Sequence, residues 1–200
     1  MEGLDYKSAV KHLEKDRALK PYLESITLQE RSPAADVYSG LISSIVSQQL
    51  SVKAAATIHG RFIALFTEGY PAPAKLLALD DTELRGVGLS SQKTKYVKNV
   101  ASFFTDQHLF DQDWGDLSDE EIIILLTEIK GVGKWTVQMI LMFVLKRPDV
   151  LPVLDLSIQQ GIAKVYGLTS TKKELYADME RIAKKWRPYR TVACLYLWQV

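Results

Sequence analysis

Residues 128–140 read EIKGVGKWTVQMI. Two glycines, Gly131 and Gly133, bracket Val132, and a helix-like apolar run lies on each side. Upstream, Ser118 and Glu121 form the S-x-x-E pattern of a capping box, which predicts a helix over 118–129. A second helix is predicted over 134–146, directly after the turn. Glycine reaches positive φ at little steric cost, so an ordinary helix–helix turn is one reading. Anion binding is the other. The amides of Gly131, Gly133, Lys134 and Trp135 would gather at a helix N-terminus, where unpaired N–H groups and the helix dipole favour negative charge. The missing side chains let a nucleic-acid phosphate approach the backbone, and Lys134 adds a positive charge. On these residues alone both readings stand.

On either side of this segment helical punctuation recurs and strand signals are nearly absent. Residues 36–66, DVYSGLISSIVSQQLSVKAAATIHGRFIALF, carry apolar residues three and four apart, with Ser51 placed to cap a new helix. Gly69, Pro71 and Pro73 break the pattern. Residues 84–97, LRGVGLSSQKTKYV, put a second glycine turn before a helix capped at Ser90 or Ser91. They also echo the hairpin, since both segments run apolar, basic, GVG, helix. Thr171 with Glu174 reads as a capping box, Gly167 as the end of a helix that starts near Asp155, and Pro188 as the first turn of a last helix over 188–199. The run DVLPVLD (149–155) is the best strand candidate, but Pro152 and the lack of a pairing partner favour an extended connector. The expected fold class is all-α, with about nine or ten helices.

Composition bounds the chemistry. The chain has 200 residues and 47% hydrophobic content, enough for one domain or two small lobes with a real core. The single cysteine, Cys194, rules out an internal disulfide or a cysteine metal cage, and His12, His59 and His108 show no ligand spacing. No apolar run approaches a membrane span, and the charged N-terminus lacks the apolar core of a signal peptide, so an intracellular protein without a membrane partner is expected. Net charge is +1, yet residues 1–129 hold 13 Lys+Arg against 19 Asp+Glu, whereas residues 130–200 hold 12 against 5. The basic part begins at the glycine turn. That asymmetry fits an anionic partner, and equally a solvated helix surface.

The segment LTEIKGVGKWTVQMILMF (126–143) resembles the helix–hairpin–helix motif of the base-excision DNA glycosylase superfamily. That superfamily places a Pro-containing stretch and an essential Asp about twenty residues downstream, here DVLPVLDLSIQQGI with Asp155. AKKWRPYRTVACLYLW at the end, SSIVSQQLSVKAA and LRGVGLSSQKTKYV are similar to blocks of the DNA-3-methyladenine glycosylase II branch, in the same order over residues 36–200. The resemblance implies a single glycosylase domain over 1–200, made of two helical lobes with a cleft between them, its hairpin at 118–146 and no N-terminal β-domain. Residues 1–35 match no block of the family.

The resemblance also implies chemistry. Excising a base breaks an N-glycosidic bond while the sugar gains oxocarbenium character, so a fixed negative charge near the sugar is needed. Asp155 is the implied catalytic residue, either stabilising that cation or orienting water. On its own residues it reads first as a plain N-cap for LSIQQGIAKVYG, a role compatible with catalysis. Lyase relatives carry a lysine directly after the residue matching Lys134; here that position is Trp135, which cannot form a Schiff base. A monofunctional enzyme is therefore implied. One cysteine cannot hold the iron–sulfur cluster of the endonuclease III branch. Trp135 and Trp198, with Met139 and Tyr189, are the implied base-pocket residues, because electron-rich rings attract a cationic alkylated purine. Trp186 is a further aromatic candidate, and helix packing accounts equally for the tryptophans; Trp114 has no assigned role. The flipped base leaves a gap, and the resemblance implies Gln49 or Leu50 of the turn SQQLS (47–51) as the inserting wedge; the same residues also read as a polar helix interruption with Leu50 in the core. Gly131, Val132, Gly133 and Lys134 would grip phosphate. A monovalent cation, potassium or sodium, has a candidate site at the carbonyls of Ile129 and Val132, and no cofactor is required. The expected partner of this monomer is double-stranded DNA containing damaged bases, with 3-methyladenine and 7-methylguanine as the type lesions. The alternatives are a glycosylase for deaminated or oxidised bases and a non-catalytic helix–hairpin–helix DNA-binding module.

Overall fold

The structure, a computed structural model, describes residues 5–28 and 36–200. Among them there are twelve α-helices and two 3-10 turns and no strand, so the all-α expectation holds with more and shorter helices than foreseen. The chain divides into two compact units, residues 34–140 and residues 1–33 with 141–200.

The first unit is built on one long helix. In chain order after α1 (Tyr6–Leu13) and α2 (Lys20–Ser25), which belong to the other unit, come α3 (Val37–Ser47), α4 (Val52–Ile63), α5 (Pro73–Ala78), α6 (Asp81–Gly86), α7 (Ser91–Asp106) and α8 (Asp119–Thr127). Caps set their starts. Asp36 and Ser39 form a reciprocal box on α3, Ser51 caps α4, Ser90 caps α7, and Ser118 with Glu121 closes the expected box on α8. Val97, Val100, Ala101 and Phe104 of α7 are buried with Leu41, Ile42, Ile45 and Val46 of α3 and with Leu76 of α5. Burying such aliphatic side chains contributes roughly 1.5–3 kcal/mol each. Tyr38 packs against Phe104 and Phe110, and its hydroxyl donates to the Pro71 carbonyl at 2.7 Å. Trp114 joins this aromatic group, with its ring 6.1 Å from Phe104.

Helix α9 (Lys134–Phe143) carries the chain into the second unit, which continues with α10 (Leu156–Tyr166), α11 (Lys172–Ala183) and α12 (Arg190–Leu197). Asp155 caps α10 and Gly167 ends it at φ +63°, as expected. Thr171 stands at the N-cap of α11 without a side-chain cap bond, so that expected box does not form. Pro188 lies ahead of α12 rather than inside it. DVLPVLD is a connector and not a strand: it turns at residues 153–154, with Val153 N–H donating to Leu151 O at 3.0 Å and Asp155 N–H to Pro152 O at 2.9 Å, and Asp155 itself is extended. Pro152 cannot donate to a ladder, and the local turns satisfy its neighbours instead. The segment around it is tied to the start of α12. Arg190 donates to the Asp149 carboxylate and carbonyl, and Thr191 Oγ1 donates to Arg147 O while accepting from Val150 N.

Asp16, within the N-terminal stretch that matched no block, has a structural role in this unit. Asp16, only 7% exposed, accepts on Oδ2 from Trp186 Nε1 at 2.8 Å, from the Tyr166 hydroxyl and from Lys185 at 2.9 Å. Trp186 is fully buried and its N–H is committed to this carboxylate, which places it in the core and not in a ligand site. No helix of the described residues is long and apolar enough to cross a membrane.

Candidate functional site

The acid at position 155 is fixed by two donors. Its Oδ1 accepts the Ile158 backbone N–H at 2.9 Å, the N-cap bond, and the Trp198 indole N–H at 3.0 Å. The N-cap bond and the indole bond therefore share one oxygen. The side chain is half-buried, and exposed leucines flank it, Leu154 at 50% and Leu156 at 65%. Trp198 is the C-cap residue of α12, and its ring stacks on Phe143 at 5.6 Å with a 25° interplanar angle. A carboxylate with two donors on one oxygen keeps its orientation without reorganising, as a preorganised charge must.

Gly161 explains how α12 can bring Trp198 to that acid. A Cβ built on Gly161 of α10 would lie 2.6 Å from the Leu197 carbonyl oxygen. Only a glycine lets the last turn of α12 lie so close to α10. Tyr189, the other aromatic expected here, precedes α12 and packs edge-on to His12, with centroids 5.5 Å apart.

The glycine hairpin lies in residues 34–140. Helix α8 ends at Thr127, Val132 N–H donates to Ile129 O at 2.9 Å, and Gly133 O accepts from Val137 N, which starts α9. Gly131 sits at φ +108°, and a Cβ there would fall 2.3 Å from the Tyr96 ring of α7. Two separate constraints thus demand glycine. Gly133 has no positive φ, and open space lies where its Cβ would be, so nothing inside the fold requires it. Val132 is buried while Lys134 is exposed, and the first amides of α9 point away from the helix, as at every helix start. Trp135 is 37% exposed, and Met139 is half-buried one turn further along. The echo at 86–88 is not a conformational one: there the second glycine, Gly88, takes the positive φ of +109°.

The turn 48–51 joins α3 to α4. Gln49 is exposed and holds φ +56°, a left-handed conformation uncommon outside glycine; Leu50 is half-buried. Exposed Val52, at 88%, follows it on α4. Sequence reasoning missed three residues that shape these places: Phe143, Gly161 and Lys93. Spacing carries no signal for them, because each acts on a segment distant in sequence or through a close contact.

The chain matches the model of the HhH-GPD superfamily base excision DNA repair protein over residues 42–188. It is 34% identical over 180 residues to DNA-3-methyladenine glycosylase 1 of Schizosaccharomyces pombe, covering 89% of this chain and 76% of that one. It is 32% identical to the alkylbase DNA glycosidase-like protein mag2 of the same organism, over 98% and 94% of the two chains. Among solved structures, the S. pombe 3-methyladenine DNA glycosylase Mag1 in complex with abasic DNA superposes with a TM-score of 0.83 at 33% identity, covering 96% of this chain and 95% of that one. DNA-3-methyladenine glycosidase from Bacillus halodurans gives a TM-score of 0.77 at 33% identity, over 98% and 89%.

Proposed function

Because the chain belongs to the HhH-GPD superfamily of base excision DNA repair proteins, we propose that it is a monofunctional glycosylase acting on alkylated purines in duplex DNA. It hydrolyses the N-glycosidic bond of a base turned out of the helix and leaves an abasic site. The names of its relatives support the substrate class, 3-methyladenine being the type lesion. The single observation that carries the chemistry is the pair of hydrogen bonds holding Asp155 Oδ1, one from Ile158 N and one from Trp198 Nε1.

That geometry supports the following reaction. The alkylated purine is cationic and leaves readily, and positive charge passes to the sugar as the bond lengthens. Asp155, fixed at the start of α10, stabilises that charge and directs water to the sugar carbon. Trp135 presents an indole to the cationic base, an attraction of roughly 0.5–2 kcal/mol. It has no amine, and Lys134 is one residue earlier, about 100° round the helix. The product is therefore the abasic site, without strand cleavage. Gly131, Gly133 and Lys134 hold a backbone phosphate at the start of α9, and Gln49 or Leu50 fills the gap left by the base. The neutral carbonyls of Ile129 and Val132 suit a hard monovalent cation. Ile129 O already accepts one hydrogen bond and keeps a second lone pair. That cation would steady the phosphate site and takes no part in bond breaking. The enzyme acts as a monomer.

The test is methylated duplex DNA incubated with the native protein and with Asp155→Asn, followed by chromatography of released bases. Free 3-methyladenine from the native protein, reduced about 100-fold or more in the variant, is the expected result. Equal release by both removes Asp155 from its role. No release from alkylated, deaminated and oxidised duplexes would leave a DNA-binding module in which Asp155 only caps. Borohydride should trap no covalent adduct on abasic DNA; efficient trapping would overturn the monofunctional reading.

A further inference from the structure

Helix α7 holds both of the loops that the reading above places on DNA, and all of these contacts lie within residues 34–140. Tyr96 lies under Gly131, and Asn99 Nδ2 donates to Lys130 O at 3.0 Å, which fixes the hairpin. One turn earlier, Lys93 reaches the other loop. Its backbone N–H is capped by Ser90 Oγ, and its ammonium donates to Val46 O at 2.8 Å and to Gln48 O at 2.7 Å. Those carbonyls belong to the C-terminal end of α3, where a helix leaves acceptors unpaired and its dipole favours a cation. The next residue is Gln49, in its left-handed conformation. Burial lowers the pKa of Lys93, so the carbonyls replace water around a partly dehydrated ammonium.

We propose that Lys93 is a positioning residue for base extrusion: its ammonium ties the end of α3 to α7 and holds the turn 48–51 in the one shape that can enter the gap beside a flipped nucleotide. This rests on the glycosylase reading, and on the insertion role of Gln49 or Leu50 in particular. A wedge must resist the stack it opens. A turn that relaxes on contact would lose the unstacking work to its own distortion. An uncommon φ at Gln49 persists only where its surroundings determine it, and Lys93 bonds the carbonyl of the residue just before it, Gln48, as well as that of Val46. Lysine at this position reads in sequence as one more basic residue of a solvated helix.

The experiment compares affinity for a duplex containing a tetrahydrofuran abasic analogue with affinity for the same duplex undamaged. Filling the gap contributes to the first and not to the second. Lys93→Met keeps the aliphatic stem and removes both donors. The ratio of the two affinities is expected to fall about ten-fold in this variant, equivalent to about 1.4 kcal/mol, with undamaged-duplex affinity changed less than about two-fold and circular dichroism unchanged. Lys93→Arg, which keeps a charged donor, should retain most of the ratio. Lys93→Gln, reaching one carbonyl, should fall between them and serves if Lys93→Met does not fold. A native preference for the abasic duplex that Lys93→Met or Lys93→Gln preserves would overturn the proposal alone. Equal loss on both duplexes would reduce Lys93 to general stability or phosphate binding and overturn it too. A native protein without any preference would remove the insertion reading and the proposal together.

Discussion

Replacing Gly161 with alanine should separate helix stability from site geometry. The new Cβ would stand 2.6 Å from the Leu197 carbonyl oxygen, and real Cβ atoms essentially never come under 3.0 Å. The obstacle is backbone, not the end of a flexible side chain, so α10 and α12 must separate. Even the smallest relief moves Leu197 by about 0.4 Å, and ordinary contact at 3.4 Å needs about twice that. Trp198 is the next residue, and its indole N–H lies 3.0 Å from Asp155. A displacement of that size breaks the bond or turns the carboxylate. Two terms act on stability in opposite directions: alanine gains about 1 kcal/mol of helix propensity over glycine, while overpacking costs about 1–3 kcal/mol. The net loss is therefore small, at most about 2 kcal/mol. Activity should suffer more, since misplacement approaching 1 Å costs on the order of 100-fold. The assay is single-turnover base release from a methylated duplex, read beside chemical denaturation. A folded Gly161→Ala variant should release base at least about ten-fold more slowly. Native release rates in a variant of native stability would refute the idea that α12 positions the acid.

Four further substitutions probe the geometry. Gly131→Ala faces both a φ of +108° and the Tyr96 ring, and should cost about 2–5 kcal/mol in denaturant unfolding. Gly133→Ala faces neither, and should keep stability within about 0.5 kcal/mol while weakening duplex binding in a fluorescence titration. Duplex affinity should fall steeply with salt, and Lys134→Ala should lower the slope of log K against log salt by about 1; an unchanged slope would separate Lys134 from phosphate. Asp16→Asn should lower stability at pH 7 by roughly 3 kcal/mol. Burial alone raises the Asp16 pKa, but the bonds from Tyr166, Trp186 and Lys185 outweigh it and the net shift is downward. A carboxyl whose folded pKa is depressed contributes stability that is complete above its unfolded value near 3.8 and is lost as pH falls through the folded value. Denaturation curves of native protein and variant should therefore converge as pH drops below about 4.

Local chemistry was legible in sequence, and distant contact was not. Ser51, Ser90, the Ser118–Glu121 box, Asp155 and Gly167 act within four residues of themselves, and each stands where its spacing put it. Thr171 had the right spacing, yet its side chain makes no cap bond, and Pro188 sits outside the helix that it was expected to open. The two GVG turns are identical in sequence, yet a different glycine takes the left-handed conformation in each, against Ile58 in one and Tyr96 in the other. Tertiary packing decides that difference, and the tripeptide does not. For the site, the motif located Asp155 and its tryptophan, while their hydrogen bond, the Phe143 stack and the close approach at Gly161 depend on α10 and α12 meeting. Asp16 joins Tyr166 and Trp186 across 150 and 170 residues, and no periodicity announces such a bond.

The most direct measurement concerns charge. A duplex carrying a pyrrolidine abasic mimic, cationic at the sugar position, is compared with its neutral tetrahydrofuran counterpart, for native protein and Asp155→Asn. If Asp155 faces a sugar that becomes positive, the native protein should bind the cationic duplex about 100-fold more tightly or better, and Asp155→Asn should lose most of that preference while binding the neutral duplex as before. Equal native affinity for the two duplexes, or a preference that survives in Asp155→Asn, would contradict the account.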